Sequence, residues 1–153
     1  MPTLSPVATV DFDDMVALRM EALRPSLERL GRFDPVRARE RLAAGFKPEH
    51  MQHINLDGQR IGFITLRPDD GAGLHALHLD HLYIRPACQG QGIGAWALNW
   101  AKEQAAGQGC DITLSALKHS ASNRFYLRHG FVQVGESEFD LDYRWSLTQG
   151  ALE

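Results

Sequence analysis

Eight residues near the middle of the chain, HALHLDHL from His75 to Leu82, hold three histidines and an aspartate. These side chains can ligate a metal, or they can take a proton from a substrate, because an imidazole with a pKa of about 6.5 is largely neutral at pH 7. Spacing separates the two chemistries. Histidines three apart share a face on a helix, but in a strand His75 and His81 point away from His78. The flanking pattern, residues 74–85, predicts a strand, and that geometry argues against three convergent ligands, so no metal is expected. His78 becomes a candidate general base with Asp80 on the same face, and His81 joins them only if the strand bulges. Water is the remaining alternative.

The next cluster is Gln89-Gly90-Gln91-Gly92-Ile93-Gly94, between that strand and a helical pattern. Free backbone N–H groups at a helix N-terminus converge on an anion, and glycine lets the chain approach it closely, so a phosphate or pyrophosphate is the expected occupant. A tight glycine turn with no ligand is the plainer reading of the same residues. The residues satisfy the dinucleotide fingerprint G-x-G-x-x-G/A, but their context does not. Arg85 to Gln89 separate the strand from the first glycine, and Asp111, about 20 positions on, begins a strand rather than ending one. No lysine follows the last glycine, so the cluster is not a Walker A loop.

The cluster also fits R/Q-x-x-G-x-G/A through Gln89, Gly92 and Gly94, after a strand ending in Ile84-Arg85-Pro86. Downstream, Leu114 to Leu117 is followed by NRFYLRHGF, Asn123 to Phe131, a strand, a short tyrosine-bearing helix and then Gly-Phe. In these blocks and in the order of its elements the chain resembles the GNAT superfamily of acetyl-CoA-dependent N-acetyltransferases over most of its length. The resemblance implies that Gln89, Gly90, Gln91, Gly92, Ile93 and Gly94 wrap the pyrophosphate of coenzyme A. It implies too that the backbone of Leu82, Tyr83 and Ile84 pairs with the pantetheine arm, and that Asn123 lies on the cofactor side of the short helix. Two departures stand out: Gln91 occupies a position that is often basic, and Ser120 and Ser122 stand where Asn and Ala are common.

The implied reaction is acetyl transfer from acetyl-CoA to a primary amine of a small molecule or peptide by direct attack in a ternary complex. It needs a neutral amine, a stabilised oxyanion and a proton for the leaving thiolate. As an aromatic alone Tyr126 reads as helix-to-sheet packing, but within the Phe-Tyr-x-x-x-Gly-Phe block it stands where the family places the phenol that protonates the thiolate. The oxyanion would meet a backbone N–H near Leu82. His78 lies eleven residues before Gln89, the offset at which histone-type relatives carry a glutamate base. Cys88 and Cys110 read as free thiols, neither placed as an acyl carrier. A non-catalytic acyl-CoA-binding sensor with the same fold is the alternative.

Positioning these groups requires a mixed α/β fold. Asp11 reads as an N-cap, and Met15, Leu18, Ala22, Leu27 and Leu30 recur at helical spacing, with Pro25 expected to kink or split the helix. Asp34-Pro35 starts a second helix that Gly45 ends. MQHINL and QRIGFITLRP read as strands joined at Asp57-Gly58, followed by a loop over 68–73 and the strand over 74–85. A helix from Ile93 to Ala106 stops at Gly107 and Gly109; a strand spans Asp111 to Leu117, and Ser120 to His129 is a helix closed by Gly130. Strands follow at 131–134 and 139–147, and an edge strand is expected at 3–9. The fold class expected is a GNAT-like α/β domain, a central mixed, mostly antiparallel sheet of six to seven strands with about four helices.

A chain of 153 residues, 44% apolar and 23% charged, suits one folded domain. Its net charge of −3 offers no basic field for nucleic acid or an anionic membrane surface. The N-terminus lacks a signal peptide's basic start and apolar core, so a cytoplasmic protein is expected, with homodimerisation left open. Arg19, Glu21 and Arg24 on one side, and Glu136, Glu138, Asp140 and Asp142 on the other, fall in segments that build the family's acceptor pocket. The acidic set reads either as an attractor for a cationic amine or as a solvated strand face.

Overall fold

The computed structural model describes residues 1–29, 31, 34–69 and 75–147. In chain order these form β1 (Thr3–Pro6), α1 (Phe12–Arg29), α2 (Pro35–Ala44), β2 (Met51–Leu56), β3 (Gln59–Asp69) and β4 (Ala76–Ile84). Then come α3 (Ile93–Gln108), β5 (Asp111–Leu117), α4 (Ser122–Arg128), β6 (Val132–Glu136) and β7 (Asp140–Trp145). The strands make one seven-stranded sheet in the order β1-β2-β3-β4-β5-β7-β6. Pairing is antiparallel for β1–β2, β2–β3, β5–β7 and β6–β7, and parallel for β4–β5. Two compact units can be distinguished along the chain, Met1–Thr65 with His81–Ala97, and Leu66–Asp80 with Leu98–Glu153.

In the first unit, Met15, Val16 and Leu18 of α1 pack with Val7, Leu42, Met51 and Phe63. That apolar face, rather than intrinsic propensity, carries the helix, and α1 continues through Pro25 without the split that was one of the two expected outcomes. Leu30 lies outside the described residues. Asp34 caps α2 as expected, accepting the N–H groups of Val36 at 3.1 Å and Arg37 at 3.2 Å. Asp11 does something else. It ends a 3₁₀ turn, Thr9–Asp11, and its carboxylate turns back to accept the Ala8 N–H at 2.8 Å. It also takes His53 Nε2 at 2.9 Å and Arg60 Nη1 at 3.0 Å, which ties the entry to α1 to β2 and β3.

The Asp57-Gly58 turn has φ of 52° and 78°, the paired positive values that a tight hairpin needs. Beyond it Ile54 opposes Gly62 and Asn55 opposes Arg60, so Ile61 is the extra residue of a bulge. Strand β3 continues through Pro68 and Asp69, where a loop was expected, because Pro68 is exposed and edge-like positions tolerate a missing N–H. The rest of that expected loop, residues 70–73, and Leu74 of the expected strand lie outside the described residues.

Helix α3 passes through Gly107 and ends at Gln108, two residues later than expected. Gly109, at φ 68°, is the left-handed residue, and the Cys110 and Gly109 N–H groups close on the carbonyls of Ala105 and Ala106. That double closure is a Schellman cap. The expected alternation in the last strand holds: Tyr143 and Trp145 are buried, while Asp142 and Arg144 face the other way and bond to β5.

Candidate active site

The glycine segment follows a 3₁₀ turn, Pro86–Cys88, and leads directly into α3. Gly90 and Gly92 take φ of 78° and 79°, and a Cβ built on either meets nothing within 4 Å. Glycine is needed there for conformation, with open space beside the chain. The first helical bond of α3 runs from the Trp96 N–H to the Gly92 carbonyl at 3.0 Å, so the preceding N–H groups at 93–95 have no partner inside the helix. Gln89 Nε2 donates to the Ile84 carbonyl at 2.9 Å and fastens the loop to the end of β4. The Arg85 N–H binds the Ile61 carbonyl at 2.8 Å.

Tyr83 is the structural centre of this end of β4. Its ring lies 5.4 Å from Phe63 and 5.6 Å from His81, with the Arg19 guanidinium 5.5 Å above it. His81 is buried in this aromatic group, 9% exposed, so strand alternation turns it away from the His78 face. The β4–β5 ladder runs from Ala76–Leu79 against Asp111–Leu114, and β4 continues beyond it through Leu82 to Ile84. His75 is exposed, its Nε2 3.4 Å from the Gln108 carbonyl.

His78 sits within a polar cluster of the second unit. The parallel register sets it beside Thr113, and its Nδ1 lies 2.7 Å from Thr113 Oγ1, which donates to Asp69 Oδ2 at 3.0 Å. On the other side of the ring, Nε2 is 3.6 Å from Asp80 Oδ1, while Asp80 Oδ2 accepts from Arg67 Nε at 2.7 Å. Burial holds the His78 pKa below the ordinary imidazole value; Arg67 acts the same way, and Asp80, Asp69 and Asp142 oppose it. The ring is therefore neutral at pH 7. His78 and Asp80 do share a face and meet. Thr113, Asp69 and Arg67 were not found by sequence reasoning, because only the cross-strand register brings them to the histidine.

Tyr126 is placed by the cap of α4. The Phe131 N–H binds the Tyr126 carbonyl at 3.1 Å and the Gly130 N–H binds the Leu127 carbonyl at 3.3 Å, with Gly130 at φ 87°. This is a second Schellman motif, and its usual apolar contact is the Tyr126–Phe131 ring pair, 5.6 Å between centroids. The Tyr-x-x-x-Gly-Phe pattern thus has a local structural cause, and it fixes the ring, 8% exposed, between Phe131 and Tyr143. Asn123 braces the start of the same helix. Its Nδ2 donates to the Leu117 carbonyl at 2.9 Å and the Ser120 carbonyl at 3.0 Å, and its Oδ1 accepts the Tyr143 hydroxyl at 2.8 Å. As placed, this side chain spends its donors inside the protein.

The charged residues of the outer segments are mostly paired. Glu21 binds Arg85 at 3.0 Å, Arg24 pairs with Glu28, Glu136 with Lys118 at 2.8 Å, and Asp142 accepts from Ser115 at 2.7 Å. Arg19 differs. It is 6% exposed, bonds the Ala38 carbonyl through Nη1 at 2.9 Å, and has no carboxylate partner among the described residues. Cys88 and Cys110 are both free thiols, and burial with Asp111 raises the Cys110 pKa.

A model of the acetyltransferase (GNAT) family matches residues 13–131. The chain belongs to the GNAT acetyltransferase family. Among curated proteins, an aminoalkylphosphonate N-acetyltransferase of Salmonella typhimurium is 32% identical over 136 residues, which cover 82% of this chain and 81% of that one. A PaiA N-acetyltransferase from Thermoplasma acidophilum, solved in complex with coenzyme A, superposes with a TM-score of 0.76 at 15% identity, covering 95% of this chain and 99% of that one. An acetyltransferase from Thermus thermophilus gives 0.76 at 19% identity, with 96% and 97% covered. At such identities the solved structures establish the GNAT fold. Family membership and the N-acetyltransferase relative together favour small-molecule N-acetyl transfer over the non-catalytic acyl-CoA-binding reading.

Proposed function

We propose that this GNAT protein transfers the acetyl group of acetyl-CoA to a primary amine of a small molecule by direct attack in a ternary complex. The observation that carries the reading is the segment Gln89 to Gly94: two glycines at positive φ, open space beside them, and N–H groups at the start of α3 that have no partner inside the helix. Those donors suit a pyrophosphate, and with Gln91 in place of a basic residue the binding rests on backbone groups. The edge of β4 beyond the β5 ladder, Leu82 to Ile84, suits the addition of an extended arm as one more strand.

Acetyl-CoA supplies the activated acyl group. His78 takes a proton from the acceptor ammonium, which frees the nitrogen lone pair to form the C–N bond as the C–S bond breaks. Tyr126 donates its phenolic proton to the departing sulfur; the new amide nitrogen sheds its second proton to solvent, and solvent returns one to the tyrosinate. The Salmonella typhimurium relative makes amines that also carry an acidic group the first acceptors to test.

Calorimetric titration with acetyl-CoA and an amine panel read by thiol release tests the reading. The wild type should bind acetyl-CoA and acetylate at least one amine. Tyr126→Phe should keep its acetyl-CoA affinity and lose about 10²-fold or more in turnover, the usual scale for a general acid. Equal turnover by the two proteins would remove Tyr126 from the mechanism; an inert wild type would return the non-catalytic reading.

A further inference from the structure

A neutral histidine offers two different nitrogens, and a general base works only if the lone pair is on the atom that faces the substrate. The environment of His78 decides which nitrogen that is. Asp69 is a carboxylate and can only accept, so the 3.0 Å contact from Thr113 Oγ1 to Asp69 Oδ2 uses the single hydroxyl hydrogen of Thr113. The same oxygen lies 2.7 Å from His78 Nδ1, and with its hydrogen committed it can only accept there. Nδ1 must carry the proton. The lone pair then resides on Nε2, at the opposite corner of the ring.

We propose that Thr113 and Asp69 are positioning residues that lock His78 in its Nδ1–H form, so that Nε2 is the atom that removes the acceptor's proton. The proposal rests on the base assignment made above for His78. On proton transfer Nε2 gains the hydrogen, Nδ1 keeps its own, and the resulting imidazolium donates to Thr113 Oγ1, with Asp69 behind it at 3.8 Å from Nδ1. Asp80 Oδ1, 3.6 Å from Nε2, favours the charged ring, and Arg67 bonds the other Asp80 oxygen at 2.7 Å. The charged groups facing His78 are therefore Asp80 on its own strand, Arg67 and Asp69 on β3, and Asp142 on β7. A hydroxyl on β5 and a carboxylate on β3 are thus arranged like the second and third members of a relay, although no catalytic motif in the sequence contains either.

Histidine ¹⁵N NMR on the full-length protein, with His78 assigned by its loss in His78→Gln, reads the form directly. The wild type should show Nδ1 protonated and Nε2 bare near pH 7. Thr113→Ser should preserve that pattern and the activity. Thr113→Val should give a mixture of the two forms and lower kcat/KM by roughly 10- to 10²-fold, a part of the usual general-base contribution, with acetyl-CoA affinity and melting temperature little changed. Asp69→Asn should move the acid limb of the kcat/KM profile to lower pH, because a carboxylate that raises the His78 pKa is lost. A wild-type His78 protonated on Nε2, or a Thr113→Val enzyme with unchanged NMR pattern and kcat/KM, overturns the proposal. Full activity in His78→Gln alongside an intact Nδ1–H pattern in the wild type refutes the base assignment instead, and reduces Asp69 and Thr113 to a structural role.

Discussion

Gly62 is the residue at which a single methyl group should do the most damage. It lies on β3 against the backbone of β4, and a Cβ built there would stand 3.1 Å from the Tyr83 carbonyl carbon, 3.2 Å from Ile84 Cα, and closer still to the Tyr83 oxygen. Ordinary contacts between carbons are about 3.5–4.0 Å, so Gly62→Ala forces the two strands apart by several tenths of an ångström at least. The clashing atoms are backbone and cannot rotate away. Overpacking usually costs about 1–3 kcal/mol, and the rigid partner places this variant near the upper end. At about 2–4 °C per kcal/mol for a chain of this size, the melting temperature should fall by roughly 6–12 °C. Because Tyr83 lies between Leu82 and Ile84, acetyl-CoA affinity should fall as well.

Gly107 supplies the matching control. It sits inside α3 with nothing within 4 Å of an added methyl and no positive φ, so Gly107→Ala should stabilise the protein by about 0.5–1 kcal/mol through helix propensity. Thermal unfolding by circular dichroism and calorimetric titration with acetyl-CoA read both variants. A Gly62→Ala protein that melts within about 2 °C of the wild type would refute the close approach of β3 and β4 on which the reasoning depends.

Two further perturbations test the first unit. The hydrogen bonds from His53, Ala8 and Arg60 hold the Asp11 carboxyl well below the usual carboxylate range, against burial, which works to raise it. A lowered folded-state pKa adds stability that is complete above the unfolded value of about 3.9 and is lost as pH falls further. Wild-type melting temperature should therefore drop as pH falls below about 4, and Asp11→Asn should be less stable at pH 7 and show a shallower acid slope; parallel slopes would remove Asp11 as the cause. Arg19→Met deletes a buried cation that has no carboxylate partner among the described residues, while Ala38, within α2, keeps its helical ladder bond. Its melting temperature should match or exceed the wild type; a loss above about 2 kcal/mol would show that the Arg19 contacts with Ala38 and the Tyr83 ring stabilise this unit.

What the chain states locally, it states well. Asp34-Pro35 caps α2, Asp57-Gly58 turns the β2–β3 hairpin, and Gly130 closes α4, because each depends on the φ/ψ range or hydrogen-bonding capacity of a few adjacent residues. The glycine segment at the start of α3 is legible for the same reason, and with the Tyr-x-x-x-Gly-Phe block it was enough to point to the family. Misreadings arose where distant residues compete with local rules. Asp11 left its expected capping role for His53 and Arg60.

The polar cluster at His78 belongs wholly to the second class. Alternation along β4 puts His78 and Asp80 on one face, but nothing in the order of residues says that position 113 lies beside position 78, or that Asp69 and Arg67 flank them from β3. Strand register is a property of the whole sheet, since slipping a strand by one residue turns every side chain to the other face. The sequence by itself therefore determined most of the elements and, through two short blocks, the family. Only the tertiary structure decided the company that His78 and Asp80 keep, and with it the contacts to Thr113, Asp69 and Arg67 on which the proposed proton position rests.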